Sequence, residues 1–365
     1  MTRTTTATTR PHSAGTGPAR ADGEPHTLRF DDFSVSFRGD EGVAQVVDRA
    51  ALEVRQGELI GIVGETGCGK SVLMRALLDL LPKPATRIMG RIEFDGVDLL
   101  GLAPRRRREV TLRYFNMVFQ DPVGSLNPFF TIGTQMREVL EQAGRRDGQR
   151  LARAQSQRRA VELLRTVHLD DPERVLRAYP FQLSGGMNQR VSIALALSTD
   201  PWLVVADEPT TALDVTVQAE ILTLFEELVR MQGRSVLFIT HSLGVVRQVA
   251  DRVAVMYAGV VVEEAPTRTL FAHPRHPYTV GLLDCVPRLT GQGVAKGIPG
   301  TLPDYTTPPS GCRFHPRCPH AMSICREARP PAIPIGDSGH RVACWLYGDE
   351  GRAGDVVPRG EGTMR

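Results

Sequence analysis

A glycine-rich turn that ends in Lys-Ser stands in the stretch GIVGETGCGKSVLMRAL, from Gly61 to Leu77. Glycines let successive backbone N–H groups point inward as an anion-binding nest, and a helix that starts near Lys70 would add the positive end of its dipole. Lys70 would then reach the β- and γ-phosphates of a nucleotide, and the Ser71 hydroxyl would ligate Mg²⁺. The eight positions that fit the pattern G-x-x-x-x-G-K-S/T, named the phosphate loop below, are Gly64, Glu65, Thr66, Gly67, Cys68, Gly69, Lys70 and Ser71.

Cys68 lies inside the phosphate loop, close to Lys70 and to the expected start of the helix. A neighbouring cation and a helix N-terminus both lower the pKa of a thiol, so we expect a thiolate that bound nucleotide shields from alkylation. A cysteine that merely fills a position for a small residue is the alternative interpretation.

A second stretch, WLVVADEP, has the pattern of a buried strand that ends in two carboxylates, Asp207 and Glu208. In open α/β sheets, ligands bind at the carboxyl ends of the parallel strands, which is where these acids would stand. We expect Asp207 to enter the Mg²⁺ shell and Glu208 to orient and deprotonate a water molecule. A simple strand-end cap would be the better interpretation if this strand occurred without the phosphate loop.

A third stretch, LSGGMNQRVSIALAL (residues 183–197), offers a second nest at a helix start, formed by Ser184, Gly185 and Gly186. At these residues the sequence resembles the ATP-binding cassette (ABC) family, whose signature is LSGGQ, although Met187 stands where glutamine is commonest. In that family the LSGG segment of one subunit closes over the γ-phosphate held by the other, and two cassettes sandwich two ATP molecules. The resemblance therefore implies that one chain holds half of each site and hydrolyses ATP poorly alone.

Other motifs of this family follow in the expected order, and the resemblance covers about residues 27–330. It implies that Gln120 in VFQDP is the catalytic Q-loop glutamine and a Mg²⁺ ligand, that Asp214 ends the D-loop TALD, and that His241 in FITHS is the catalytic switch histidine. Phe37 stands where the family has the aromatic residue that stacks on adenine. Taken singly, each residue has a plainer interpretation, such as a surface histidine or a core aromatic.

Composition narrows the class of protein. The 365 residues predict about two domains, and the net charge of +3 gives no indication of a nucleic-acid partner. No apolar run approaches the roughly 18 residues that span a bilayer, so we expect any pore to be formed by other chains. Six cysteines, with no secretory signal in the first 26 residues, predict a reducing cytoplasm.

The apolar pattern predicts an α/β fold. Buried strands alternate with amphipathic helices from 201 to 265, which is typical of a parallel sheet covered on both faces. With the resemblance, this predicts a P-loop NTPase of the RecA-like ABC type with an antiparallel β subdomain, an α-helical subdomain and a small cysteine-containing C-terminal extension. The expected divisions are a disordered tail over 1–26, the ABC ATPase domain over 27–265 with its helical subdomain at about 121–200, the extension over 266–347, and a disordered tail over 348–365.

Three stretches resemble the peptide and nickel importer ATPases, namely QDPVGSLNPFFTIGTQ, HPYTVGLLDCVPRL and GIPGTLPDYTTPPSGCRFHPRCPHAMSIC. The resemblance implies a subunit that energises import of oligopeptides or dipeptides from the cytoplasmic face of the membrane. Its implied partners are a second, different ABC ATPase subunit, two multispanning permease subunits that the apolar stretch after Gln120 would contact, and indirectly an extracytoplasmic substrate-binding protein. The alternatives are an importer of nickel or glutathione, and a soluble ABC ATPase of translation or DNA maintenance, which would usually have two cassettes or an inserted coiled coil.

Four cysteines cluster near the end of the sequence with the spacing C-x5-C-x6-C-x18-C. Four thiolates are the ligand count of an iron–sulfur cluster, and the resemblance implies a [4Fe–4S] centre here. Zinc is the runner-up, although zinc sites favour paired C-x₂₋₄-C spacing, and unliganded thiols are a third interpretation. A metal would staple a segment that is poor in apolar residues. The four residues are Cys312, Cys318, Cys325 and Cys344, with His315, His320 and His340 as alternative ligands.

Overall fold

The structure, a computed structural model, describes residues 25–211, 213–285, 297–337 and 339–348. Nearly all of the two predicted tails lies outside these ranges. None of the helices in the described ranges combines the length and the apolar character that crossing a bilayer requires.

The described residues form strands and helices in mixed order along the chain. The strands are β1 (Thr27–Gly39), β2 (Gly42–Arg55), β3 (Leu59–Val63), β4 (Thr86–Phe94), β5 (Val97–Asp98), β6 (Phe115–Val118), β7 (Leu203–Asp207), β8 (Ser235–Thr240), β9 (Arg252–Tyr257), β10 (Val260–Pro266), β11 (Ile333–Ile335) and β12 (His340–Val342). The helices are α1 (Lys70–Leu77), α2 (Pro104–Tyr114), α3 (Pro122–Ser125), α4 (Ile132–Arg146), α5 (Arg153–Thr166), α6 (Pro172–Arg177), α7 (Gly185–Leu197), α8 (Val215–Arg230), α9 (Leu243–Val249), α10 (Thr267–Ala272), α11 (Pro277–Asp284) and α12 (Ile324–Glu327).

Two sheets organise these elements. The smaller is antiparallel with the order β2-β1-β4-β5, and the larger has the order β11-β12-β10-β9-β3-β8-β7-β6. In the larger sheet β9, β3, β8, β7 and β6 are parallel, and β10, β12 and β11 add to one edge as antiparallel strands. The parallel sheet and the antiparallel subdomain confirm the predicted fold class of the cassette.

Both faces of the parallel sheet are covered, because its strands are apolar on both sides. Along β7, Val204 and Ala206 belong to a core shared with the helices α4 to α8, whereas Leu203 and Val205 belong to a core shared with α1 and the antiparallel sheet. This burial fixes the position of the strand end, where the chain turns toward solvent after the last core residue.

A short strand precedes the predicted helical subdomain. Phe115–Val118 forms the edge strand β6, which pairs in parallel with β7. Phe115, Met117 and Val118 are buried, so this short apolar run completes the sheet just before Gln120. The helices α3 to α7 follow it and pack together as a helical layer.

The last described segment packs on the cassette through aromatic and arginine side chains. Phe314 is 2% exposed, and its ring packs against the rings of Tyr257 and Tyr278. A guanidinium nitrogen of Arg313 donates hydrogen bonds to the carbonyl oxygens of Ala258 and Gln45. The segment is therefore anchored to the cassette by contacts with its sheets.

Candidate nucleotide-binding site

The phosphate loop connects the end of β3 to the start of α1, as the sequence predicts. Gly69 has a φ of +103°, a left-handed backbone that favours glycine, and α1 begins at the next residue. The Lys70 ammonium is buried and donates hydrogen bonds of 2.8 and 3.0 Å to the carbonyl oxygens of Gly64 and Glu65. The lysine thus spans the inside of the loop, where phosphate oxygens would compete for it.

The phosphate loop and the acidic strand end meet at Ser71 and Asp207. The Ser71 hydroxyl donates a hydrogen bond of 2.9 Å to the Asp207 carboxylate, which is only 3% exposed. Burial raises the pKa of Asp207, and the hydrogen bond from Ser71 opposes this only in part. A hydroxyl and a buried carboxylate side by side are hard oxygen donors that suit Mg²⁺.

Glu208 stands at the centre of a second polar group at the same strand end. Its carboxylate accepts hydrogen bonds from Gln120 Nε2 at 3.2 Å and from the Thr211 hydroxyl at 3.0 Å, and it lies 3.1 Å from His241 Nδ1. Burial by itself would raise the pKa of Glu208, but the bonds from His241 and Thr211 outweigh it and lower that pKa. The structure therefore brings Glu208, Gln120 and His241 together around an ionised carboxylate.

The signature residues lie apart from this group. Ser184 is the N-cap of α7, where its hydroxyl accepts a hydrogen bond from the N–H of Met187, and both Ser184 and Gly185 are exposed. A Cβ at Gly186 would lie 2.7 Å from Val217 on α8, so the signature packs beside the D-loop of its own chain. Within the described ranges, no hydrogen bond joins Ser184–Gly186 to the phosphate loop of the same chain.

Asp214 and Phe37 lie at the start of α8 and near the end of β1. Asp214 is exposed and caps α8 by accepting a hydrogen bond of 2.9 Å from the N–H of Val217. Within TALD, Ala212 lies outside the described residues. Phe37 is half-buried near the end of β1, where it also packs against the core beneath the antiparallel sheet.

The expectation of a thiolate at Cys68 is wrong. The side chain is fully buried, and this burial raises the pKa of its thiol although the Lys70 ammonium opposes the shift. The sulfur accepts a weak hydrogen bond of 3.7 Å from Lys70 Nζ. Loss of solvation outweighs the neighbouring cation here, so Cys68 is a neutral packing residue beneath the loop.

The prediction of an iron–sulfur cluster is also wrong. Cys312, Cys318, Cys325 and Cys344 line one small cavity. Within the part of the chain that the structure describes, however, no group of three or more His, Cys, Asp or Glu side chains could hold a metal ion. The described residues therefore give no support to a [4Fe–4S] centre or to the zinc alternative.

Burial changes the acidity of three of the four cysteine thiols. Burial raises the pKa of Cys312 to about 11 and that of Cys344 to about 12, and it also raises the pKa of Cys318. Burial therefore favours the neutral form of these three thiols in the metal-free protein. The segment needs no staple, because Phe314 and Arg313 already anchor it to the cassette.

Three side chains at the phosphate loop were missed by sequence reasoning. All three come from the region that follows the cassette. The motifs HPYTVG and PDYTT, which contain the two tyrosines, served in the sequence analysis only to indicate the subfamily. Their tyrosine hydroxyls and guanidinium are the groups that contact the loop. The three residues are Tyr278, Tyr305 and Arg317.

Comparison with known proteins identifies the family of this chain. A model of the ABC transporter family matches residues 47–211, and a model of the oligopeptide/dipeptide transporter, C-terminal region, matches residues 262–325. The chain is 44% identical to the dipeptide transport ATP-binding protein DppD of Bacillus subtilis over 87% of this chain and 94% of that one. It is also 44% identical to the oligopeptide transport ATP-binding protein OppD of the same organism, over 87% of this chain and 88% of that one.

A solved structure shares the fold. It is the dimeric post-hydrolysis state of the ATP-binding cassette MJ0796 bound to ADP and Pi, with a TM-score of 0.58 and 26% identity. The match covers 66% of this chain and 99% of that one. The shared region is thus the size of one whole cassette, and the rest of this chain lies outside it.

Proposed function

The chain belongs to the family of ATP-binding proteins of oligopeptide and dipeptide ABC transporters. We propose which of its residues bind ATP and which take part in its hydrolysis. It is an ATPase that energises peptide import. The observation that carries the assignment of roles is the meeting of the phosphate loop with Asp207 and Glu208 at one end of the parallel sheet. Binding of the triphosphate and attack by water would take place at this end.

The residues of the site fit Mg-ATP. Mg²⁺ would be held by the Ser71 hydroxyl, the Asp207 carboxylate and the amide oxygen of Gln120, and when bound it would neutralise charge on the phosphate oxygens. Lys70 would leave the loop carbonyls for the β- and γ-phosphates. Glu208 would accept the proton of the attacking water, and His241 would hold its carboxylate in place.

Phe37 would stack on the adenine ring at the end of β1. The loop N–H groups from Gly64 to Ser71 would bind phosphate oxygens, apart from that of Glu65, which donates its hydrogen bond to the Tyr278 hydroxyl.

We further propose that the working unit contains a second ABC ATPase subunit. Ser184 and Gly185 are exposed at the start of α7, and Asp214 is exposed close by, which supports their use on the nucleotide of a partner cassette. The partner is proposed to be a different chain, so that the two sites need not be equal. The domain divisions at 27–265 and 266–347, including the cysteine-containing extension, belong to the same proposal.

An exposed aromatic patch supports docking to membrane subunits at the cytoplasmic face. Phe129 and Phe181 are 85% and 71% exposed, and Phe181 stacks on the ring of Tyr179. The two loops that bear them are joined by a hydrogen bond of 2.9 Å from the N–H of Ile132 to the carbonyl oxygen of Ala178. Large exposed apolar groups next to the Q-loop and the signature would link permease movement to both halves of the ATP site.

The test is reconstitution of the chain with its partner ATPase and two permease subunits in proteoliposomes. We expect ATP hydrolysis that peptide and binding protein stimulate, together with peptide uptake, and loss of both with Lys70→Ala. Phe129→Ala and Phe181→Ala should reduce uptake and stimulation while ATP binding persists, whereas Met231→Ala, which alters an exposed apolar side chain elsewhere, should not. Stimulation by nickel or glutathione instead of peptides would contradict the proposed substrate, and failure of the wild-type chain to bind ATP would contradict the whole function.

A further inference from the structure

Three side chains from the region after the cassette contact the phosphate loop. The backbone N–H of Glu65 donates a hydrogen bond of 2.9 Å to the hydroxyl of Tyr278. The hydroxyl of Tyr305 donates one of 2.7 Å to the carbonyl oxygen of Gly67. A guanidinium nitrogen of Arg317 lies 3.0 Å from the Glu65 carboxylate. We call Tyr278, Tyr305 and Arg317 the loop clasp.

The loop clasp is itself held firmly. Tyr278 is fully buried, and its ring lies 5.4 Å from the ring of Phe314. The side chain of Arg317 is 7% exposed, and it also donates hydrogen bonds of 2.7 and 3.1 Å to the carbonyl oxygens of Pro299 and Ile298. Side chains with fixed positions can impose a position on the loop that they contact.

The inside of the loop is held differently. There the ammonium of Lys70 bridges the carbonyl oxygens of Gly64 and Glu65. A lysine that turns to phosphate must release these carbonyls, and the loop then loses its inner crosslink. The clasp uses other groups, the N–H of Glu65 and the carbonyl of Gly67, so its contacts can persist while nucleotide is bound.

Arg317 also pairs with the negative charge of Glu65. Glu65 brings a carboxylate into a loop that receives several phosphate charges, and like charges in close proximity repel one another. The guanidinium of Arg317 pairs with that carboxylate at 3.0 Å. Without this partner, the negative charge would act against the incoming nucleotide.

We propose that the loop clasp positions the phosphate loop in its nucleotide-binding conformation and thereby sets the affinity for ATP. The proposal rests on the proposed function, because it concerns the same ATP site. The three side chains act through the loop, so they are positioning residues rather than catalytic ones. The C-terminal region is in this way part of the nucleotide site.

The first experiment measures the Kd for MgATP of the full-length chain by equilibrium dialysis. Arg317→Gln should raise the Kd about tenfold, since it removes a charge-assisted bond and leaves Glu65 unpaired. The double variant Glu65→Gln with Arg317→Gln should return to within about threefold of wild type, because the repelling charge is gone as well. A role confined to packing would give no such recovery.

The second experiment uses variants that keep the aromatic ring. Tyr278→Phe and Tyr305→Phe each remove one hydroxyl from the loop and should raise the Kd about fivefold. Tyr347→Phe removes a hydroxyl that bonds the carbonyl oxygen of Arg275 at 3.1 Å, away from the loop, and should leave the Kd unchanged. Arg329→Gln, which breaks the ion pair with Asp48 elsewhere in the same segment, is the matched control for Arg317→Gln.

The outcomes distinguish failure of the loop clasp from failure of the proposed function. Wild-type protein that fails to bind ATP would contradict the proposed function itself. Wild-type binding combined with unchanged Kd values in the two clasp tyrosine variants would overturn the clasp alone. Weakening of equal size in Tyr347→Phe and Arg329→Gln would also overturn it, because the effect would then come from general loosening of the segment.

Discussion

The Ser71 hydroxyl donates a hydrogen bond of 2.9 Å to the carboxylate of Asp207, although 136 residues separate the two along the chain. Ser71 follows β3, Asp207 ends β7, and β8 lies between these strands in the sheet. All three strands run in parallel, so their carboxyl ends meet at one edge. Two motifs that are distant in sequence therefore form a single site.

Glu208→Gln is expected to lower ATP hydrolysis about 10²- to 10⁴-fold and to leave ATP binding in place, since loss of a general base affects water rather than nucleotide. Hydrolysis by the assembled transporter and ATP binding by equilibrium dialysis measure the two effects. Glu162→Gln makes the same change at a carboxylate that pairs with Arg159 on α5, far along the sequence, and should behave as wild type. Turnover close to wild type in Glu208→Gln would contradict the assignment of the base.

Gly64→Ala should damage the phosphate loop through a direct clash. A Cβ at Gly64 would lie 2.1 Å from the carbonyl oxygen of Met256. The backbone must therefore shift. We expect either a decrease of more than about 3 kcal/mol in the free energy of unfolding or a loss of ATP binding. Urea unfolding and ATP binding provide the measurements.

Gly148→Ala is the matched control for this change. Gly148 has a φ of +73° and nothing within 4 Å of an added Cβ. This substitution should lower the free energy of unfolding by only about 1–2 kcal/mol, the cost of a left-handed backbone at a residue other than glycine. ATP binding should stay unchanged. Equal effects of the two substitutions would show that the close approach to Met256 has no importance.

His276 should make the stability of the protein depend on pH. Burial lowers the pKa of His276 from 6.5 to about 4, and the nearby Glu263 carboxylate opposes this only in part. Between these two values the unfolded chain binds a proton that the folded protein does not, so stability falls as the pH is lowered through this window. The loss amounts to about 3 kcal/mol over the whole window, at about 1.4 kcal/mol per pH unit.

His276→Asn should flatten this part of the pH dependence. The asparagine oxygen can accept the hydrogen bond of 3.0 Å that the Tyr278 N–H donates to His276 Nδ1, and it does not titrate. Urea unfolding at pH 6.5 and pH 5 should show the wild type losing about 2 kcal/mol more than this variant between the two conditions. A wild-type slope in His276→Asn would refute the assignment.

Cys68 is expected to resist alkylation in the folded protein. Its thiol is fully buried and has a raised pKa, so iodoacetamide at neutral pH should leave it unmodified with or without MgATP. Unfolding in urea should expose it to complete labelling, which mass spectrometry of the loop peptide would detect. Labelling of the folded, nucleotide-free protein would indicate that the loop opens readily.

The sequence predicts the site residues correctly where a short apolar strand is followed directly by a polar motif. The phosphate loop, the acids after β7 and His241 after β8 each follow a short apolar strand, and a parallel sheet brings such strand ends together without further information. The contacts of Glu208 with Gln120 and His241 follow from that arrangement.

The remaining features depend on packing that no local pattern encodes. The number of clustered cysteines and the family resemblance predict metal ligands at Cys312 and Cys318, but these side chains pack against the core that contains Phe314, and burial raises the pKa of both thiols. Arg317 lies 252 residues beyond Glu65, and nothing in either neighbourhood indicates that the two side chains meet. Long-range contacts of this kind depend on how the C-terminal segment packs on the sheet as a whole.

The position of β3 in the larger sheet has a consequence for synthesis on the ribosome. This strand precedes the phosphate loop, yet both of its sheet neighbours, β8 and β9, come from Ser235–Thr240 and Arg252–Tyr257. When β3 leaves the ribosomal exit tunnel, neither of the strands that hydrogen-bond to it has been synthesised. Both become available only after most of the polypeptide has been translated. Nucleotide can act as a folding ligand for this cassette only late in translation, after α9 and β9 have emerged.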